Sequence, residues 1–125
     1  MNDIPIEIES VFNSIKKRIG GFEVYDDAFD QDIVDAINSA FSTLHQLGID
    51  DRDGNPIRIT NPSQTWNDFL DIDAYEFVKD FVYFKVRLTF DPPSSSSHLD
   101  AMQRQLDELT WRIEVEKDLE INRNV

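Results

Sequence analysis

Residues 74–90 carry apolar side chains on every side of a helical wheel, and this constrains the fold more than any other feature. A helix that is apolar all round is normally buried in a core. This one is too short and has too many charged residues to span a bilayer. Pro92 and Pro93 then end it, because proline lacks an amide hydrogen and clashes with the preceding turn. The pattern predicts a central core helix.

The remaining periodic segments also favour helices. Apolar residues recur at helical spacing in three long segments, and the run TWNDFL has the pattern of a short capped helix. Asp30 is a candidate N-cap, Gly48 a candidate C′ residue, and Ser97 with Asp100 a candidate capping box. The sequence therefore predicts a single all-α domain over 1–125, a small bundle of about four main helices plus one short helix. The four segments are 3–19, 30–47, 65–70 and about 98 to the end of the chain.

A long irregular segment separates the second helix from the short one, at about residues 49–63. Turn signals at Asp53-Gly54 and Asn55-Pro56 precede an alternating run, Ile57–Thr60, so a short strand or β-hairpin is possible here. An EF-hand centred on Gly54 is excluded, because its first and last ligand positions would be Ile49 and Thr60, which supply no carboxylate. Loops of this length in small domains are more often functional or mobile than neutral.

Composition excludes several classes of function. The net charge of −13 disfavours a grip on nucleic acid, which requires local positive charge. The absence of cysteine excludes disulfides and thiolate sites, and no catalytic or phosphate-binding motif is present, so we expect no enzyme activity, cofactor or metal. Lys16, Lys17 and Arg18 form the one basic cluster, either complementing a helix dipole or contacting an acidic partner. The N-terminus lacks a signal-peptide pattern, so synthesis in the cytoplasm is expected.

The last helix carries a narrow apolar seam with the 3–4 spacing of a coiled coil. Its residues are Leu99, Met102, Leu106, Leu109 and Ile113. Packing against residues 74–90, contact with another subunit, or both would use this seam. Residues 116–125 are mostly polar and form a tail that a partner is expected to order.

Four motifs in order resemble the head–tail connector, or head-completion adaptor, proteins of tailed bacteriophages. The run VYFKVRLTFDPP (82–93) is similar to that family's helix end, and LDELTWR (106–112) to the helix that follows it. FDQDIVDAINSAFSTLHQLGI (29–49) and TWNDFL (65–70) resemble its second and third helices. The resemblance covers about residues 4–115. The core or signature positions that it marks are Phe41, Trp66, Phe69, Phe81, Phe84, Leu88, Phe90, Pro92, Pro93 and Trp111.

The resemblance implies a structural subunit of the virion neck with no catalysis. Copies would form a ring, commonly a dodecamer, that binds the portal protein and a downstream neck, stopper or tail-completion protein. DNA would pass through the channel without specific binding, and no membrane would be involved. Ring subunits need two different contact faces. The candidate interface residues are Asp51, Arg52, Asp53, Ile57, Arg58, Leu106, Arg112, Ile113, Lys117 and Arg123.

Two other classes remain as alternatives. An acidic inhibitor that mimics DNA would occupy a host nucleic-acid enzyme, but it needs carboxylates concentrated on one face, whereas here they are interleaved with Lys and Arg. A small helical enzyme would require a metal or acid–base constellation that the sequence does not show.

Of the two ends of the subunit, the tail is expected to face the portal and the 50–62 loop the downstream ring.

Overall fold

The computed structural model describes residues 10–19, 27–70, 75–90 and 92–123. Within these ranges the chain forms five α-helices and no β-strand, which confirms the expected all-α bundle with four main helices and one short one. The start expected for the first helix at residues 3–9, its glycine stop at 20–21 and the connector 22–26 lie outside the described residues. The helices are α1 (Val11–Ile19), α2 (Asp30–Gln46), α3 (Trp66–Phe69), α4 (Tyr75–Phe90) and α5 (Ser96–Arg123).

Helix α4 is the central element of the bundle, as its all-round apolar pattern predicts. It packs against α1, α2 and α5. Val78, Phe81, Val82 and Val86 are buried, and most of its other apolar side chains are half-buried. Because neighbours cover α4 from several sides, no single polar face is needed, and the apolar residues spread around the wheel.

The short helix α3 is held at the start of α1. Thr65 is its N-cap residue, and the carboxylate of Asp68 accepts a hydrogen bond from the Thr65 amide at 2.8 Å. An isolated antiparallel bridge joins Thr65 to Ser10, and the Val11 amide donates to the Gln64 carbonyl at 2.9 Å. These bonds fix the four-residue helix against α1, although a helix of that length has little stability of its own.

The possible short strand at Ile57–Thr60 does not form. The alternation there is real, since Ile57 and Ile59 are buried while Arg58 is exposed. However, the backbone of Ile59 pairs with a side chain, because Asn38 donates to its carbonyl at 3.1 Å and accepts from its amide at 2.9 Å. The amide side chain of α2 therefore takes the place of a second strand. These two bonds hold this part of the loop against α2.

Two expected helix caps differ from the structure. Asp30 is the first residue of α2, after Phe29, and its carboxylate accepts from Lys16 Nζ at 2.7 Å. Helix α5 begins at Ser96, and the hydroxyl of Ser95 accepts from the His98 amide at 3.4 Å, so the Ser97–Asp100 capping box is wrong. In both cases the residue expected to cap the helix does not accept a hydrogen bond from the first amides of that helix.

Gly48 follows α2 in the left-handed conformation that the C′ position favours, with φ of +91°. Its amide donates to the His45 carbonyl at 3.0 Å. The side chain of Lys117 lies directly over it, and a Cβ at Gly48 would be 3.1 Å from Lys117 Cε. Glycine suits the left-handed backbone at this position, and an added Cβ would also require the flexible Lys117 side chain to shift by a few tenths of an ångström.

Candidate functional site

The first group of candidate interface residues lies in the loop before α3. Asp51 closes a tight turn, because its carboxylate accepts from the amides of Asp53 and Asn55 at 2.9 Å each. Asp53 is exposed at the tip of this turn. The turn uses one Asp51 oxygen internally and presents Asp53 to solvent, so its acidic surface is available to a partner.

Arg52 ties the loop to α3. Its guanidinium donates to the carbonyls of Asn67 and Leu70, and its amide donates to the Phe69 carbonyl at 3.0 Å. These acceptors lie at the C-terminal end of α3, where carbonyls lack helical partners. Arg52 remains exposed in part, but its geometry is that of a residue that holds the loop in place.

Three apolar candidates for the interface belong to the core of the subunit itself. Ile57 and Ile113 are each 3% exposed, and Leu106 is also buried. The seam on α5 meets α4 of the same chain, which explains why its central residues are unavailable to a partner. Ile57, Leu106 and Ile113 therefore pack within the subunit, and their assignment to an interface stays a prediction.

The remaining candidates on α5 differ from one another. Arg112 is exposed and pairs with Glu108 one turn earlier at 2.9 Å. Lys117 covers Gly48, as described above, and so joins α5 to the end of α2. Helix α5 continues through Arg123, whose side chain lies outside the described residues.

The basic cluster at the end of α1 is engaged within the chain. Lys16 is buried and pairs with Asp30, and Arg18 pairs with Asp80 at 2.7 Å. The Arg18 guanidinium also lies 4.1 Å from the centre of the Tyr83 ring. Lys16 and Arg18 thus join α1 to α2 and α4, and both Lys17 and Arg18 remain exposed to solvent.

The signature residues divide into a buried and an exposed set. Phe41, Trp66 and Phe81 are fully buried, while Phe69, Phe84, Leu88, Phe90 and Pro93 are half-buried and Pro92 is exposed. Phe90 contacts Phe29 edge-on, with 5.7 Å between ring centres.

Trp111 departs from this grouping, because 61% of it is exposed on α5. Its spacing already indicates this, since it lies off the seam that contains Leu106 and Ile113.

An open groove of about 410 Å³ lies between α2 and the segment 58–62, and Phe12 and Val34 are among its apolar lining residues. Asp35 and Arg58 are exposed at its edge. Asp35 accepts from Gln31 at 2.9 Å. The periodicity of the sequence does not indicate this groove, because one of its walls is the loop that Asn38 holds.

No arrangement in the described part of the chain resembles a catalytic or metal centre. Groups of three or more potential metal ligands are absent there. His45 Nδ1 lies 2.6 Å from Asp50 Oδ1 at an exposed helix end, and His98 is a surface residue. Among the described helices, none is both long and apolar enough to cross a bilayer.

Comparison with protein-family models found a match to the phage connector protein family over residues 11–120. Searches of curated proteins and of solved structures found no match. The matched range includes all five helices up to the last turn of α5, and it contains the four motifs on which the resemblance rests. A match of this extent, together with the all-α bundle, shows that the chain belongs to the phage connector protein family.

Proposed function

We propose that the chain is a structural subunit of a ring at the phage neck, joining the portal vertex of the DNA-filled head to the tail or to the next neck protein. The observation that carries this proposal is the family match over residues 11–120, since connector proteins are structural components of the virion. The described surface, which offers contact faces and no chemical site, is consistent with it.

The charge of the chain supports a role as the wall of a DNA channel. The net charge is −13, and Lys16, Arg18 and Arg112 are paired with carboxylates. DNA binding requires unpaired cations that replace counterions on phosphate. A wall of this composition repels the DNA backbone, so DNA slides through the ring without being held.

The two ends of the subunit suit different partners. Helix α5 has 28 residues against 16 in α4, so it is longer by roughly 18 Å at 1.5 Å per residue. We assign the C-terminal end of α5 and residues 116–125 to the portal, and the 49–63 loop with Asp51, Asp53 and Arg58 to the downstream protein. The loop is ordered before assembly, so its contacts carry no large ordering cost.

The proposal is tested by light scattering on the purified chain, alone and after mixing with the portal ring of its phage. We expect either a ring of the chain alone or an increase in the portal mass that corresponds to about one 14.5 kDa chain per portal subunit. A chain that stays monomeric and leaves the portal mass unchanged would overturn the connector role. A pull-down from host lysate would then test the acidic-inhibitor class.

A further inference from the structure

Trp111 lies on the face of α5 that points away from the core. At 100° per residue it is about 140° around the helix from Leu106 and about 160° from Ile113, both of which are buried against α4. Val115 follows one turn later on the same side and is half-buried. A tryptophan at 61% exposure is unusual for a subunit that has ample core positions for aromatic residues. Tryptophan is also the residue most enriched at the energetic centre of protein interfaces.

The groove beside α2 is the complementary feature on the same chain. Its volume of about 410 Å³ falls in the range that accommodates a group larger than a single aromatic ring. Phe12 and Val34 are apolar lining residues, and Ile59, Thr60 and Asn61 line the side that the loop forms. An indole fits such a site, because it combines a large apolar surface with one N–H donor.

The outward face of α5 and the groove lie on different flanks of the bundle. Helix α4 packs against both α2 and α5, so α2 with its groove and α5 with Trp111 flank the same central helix. A closed ring of identical subunits requires two different, complementary patches on each subunit. A protruding side chain on one flank and an open groove on the other satisfy that requirement.

Charge supports one orientation of the contact. Arg104 and Asp118, both exposed, lie seven residues before and after Trp111, each about 10 Å along α5. The groove edge carries the opposite pair, Asp35 and Arg58. Arg104 facing Asp35 and Asp118 facing Arg58 would place Trp111 between two ion pairs.

We propose that Trp111 of one copy inserts into the α2 groove of the next copy. The occupant of the groove is thus a second copy of this chain, and the inference rests on the proposed ring function. Trp111 is the centre of the contact, and the flanking charges select its direction.

The first experiment separates the two halves of the contact. Trp111→Ala removes the side chain, and Gln31→Trp, at an exposed position that lines the groove, fills the other half. We expect each variant to weaken assembly on the portal at least about 30-fold, the loss of a hot-spot residue. Mixed with each other, the two variants should form a heterodimer of about 29 kDa, twice the chain mass. Leu99→Ala, at another exposed apolar residue of α5, is the matched control and should assemble normally.

The second experiment uses the absence of cysteine from the chain. A double variant, Asn61→Cys with Val115→Cys, places one thiol beside the groove and one beside Trp111. A bifunctional thiol reagent should then link portal-bound copies into a ladder, whereas either single variant should give no product beyond a dimer. An unlinked ring, or assembly by both variants of the first experiment, would overturn the inference and leave the ring function intact. A wild-type chain that binds no portal would overturn both.

Discussion

The two tryptophans of this chain occupy opposite environments. Trp66 is 1% exposed on the four-residue helix α3, and its indole N–H donates to the Ser14 hydroxyl at 2.9 Å. Its ring meets Phe41 edge-on, with 6.1 Å between centres. Trp111 is 61% exposed on the 28-residue helix α5. The shortest helix thus carries the largest fully buried side chain, and the longest helix carries the most exposed large apolar side chain among the described residues.

The difference separates stability from assembly within one small subunit. A four-residue helix cannot persist without tertiary support, and Trp66 supplies that support by joining α3 to α1 and α2. Helix α5 is already fixed by its seam against α4, so Trp111 adds nothing to the core. We explain its position on the outer face by the proposed contact with a second copy of the chain. The predictions below test this division, from the largest expected effect on unfolding to the smallest.

Trp66→Ala should have the largest effect, lowering the free energy of unfolding by about 3–5 kcal/mol in urea titrations. The substitution leaves a cavity beside Phe41 and removes the partner of the Ser14 hydroxyl. Trp66→Phe is the matched control, since it keeps an aromatic ring and loses mainly the hydrogen bond, worth about 1 kcal/mol. A cost below about 1 kcal/mol for the alanine variant would show that α3 is not needed for the bundle.

The pair Phe81 and Phe84 extends the comparison to a single helix. Phe81 is 1% exposed and Phe84 is half-buried, although both lie on α4. Phe81→Ala should cost about 3–5 kcal/mol, whereas Phe84→Ala should cost roughly half as much, because less apolar area is lost. If both variants lost the same free energy of unfolding in thermal or urea titrations, the exposure of the side chain would not predict its contribution to stability.

Gly48 tests how α5 is attached to the rest of the bundle. Gly48→Ala should cost about 1–3 kcal/mol, because φ is +91° and the new Cβ would approach Lys117 Cε. Gly54→Ala is the matched control, since φ is +84° there and nothing lies within 4 Å of the added Cβ. The difference between the two variants therefore reports mainly on the contact with the Lys117 side chain. If Gly54→Ala cost as much or more, the close approach of α5 would be of no consequence.

The sequence was sufficient to predict the parts of the fold that follow from periodicity. The central position of α4, the bounds of α2 and the existence of α3 all came from apolar spacing and turn residues. These signals are local, because the side chains that create them lie within one or two turns. The family was also evident from four ordered motifs, and the family match confirms it.

The features that the sequence did not predict depend on which part of the molecule packs against each apolar face. Periodicity shows that Leu106 and Ile113 share a face, but not whether α4 or another subunit covers it. Alternation at Ile57 and Ile59 indicates two buried side chains, but the backbone partner turned out to be the side chain of Asn38. The groove beside α2 arises from that same contact, so only the folded chain could reveal it.

Trp111→Ala should have the smallest effect on unfolding, within about 0.5 kcal/mol of the wild type, because surface substitutions away from special features rarely cost more. Since the chain has only two tryptophans, fluorescence can follow each one separately. In Trp66→Phe, the emission of Trp111 should be strongly quenched by acrylamide in the free chain and protected once the chain assembles. In Trp111→Phe, Trp66 should be protected in both states. A large loss of stability in Trp111→Ala would show that Trp111 stabilises the subunit. Quenching of Trp111 that assembly leaves unchanged would show that Trp111 lies outside the contact. Either result would contradict the division between the two tryptophans.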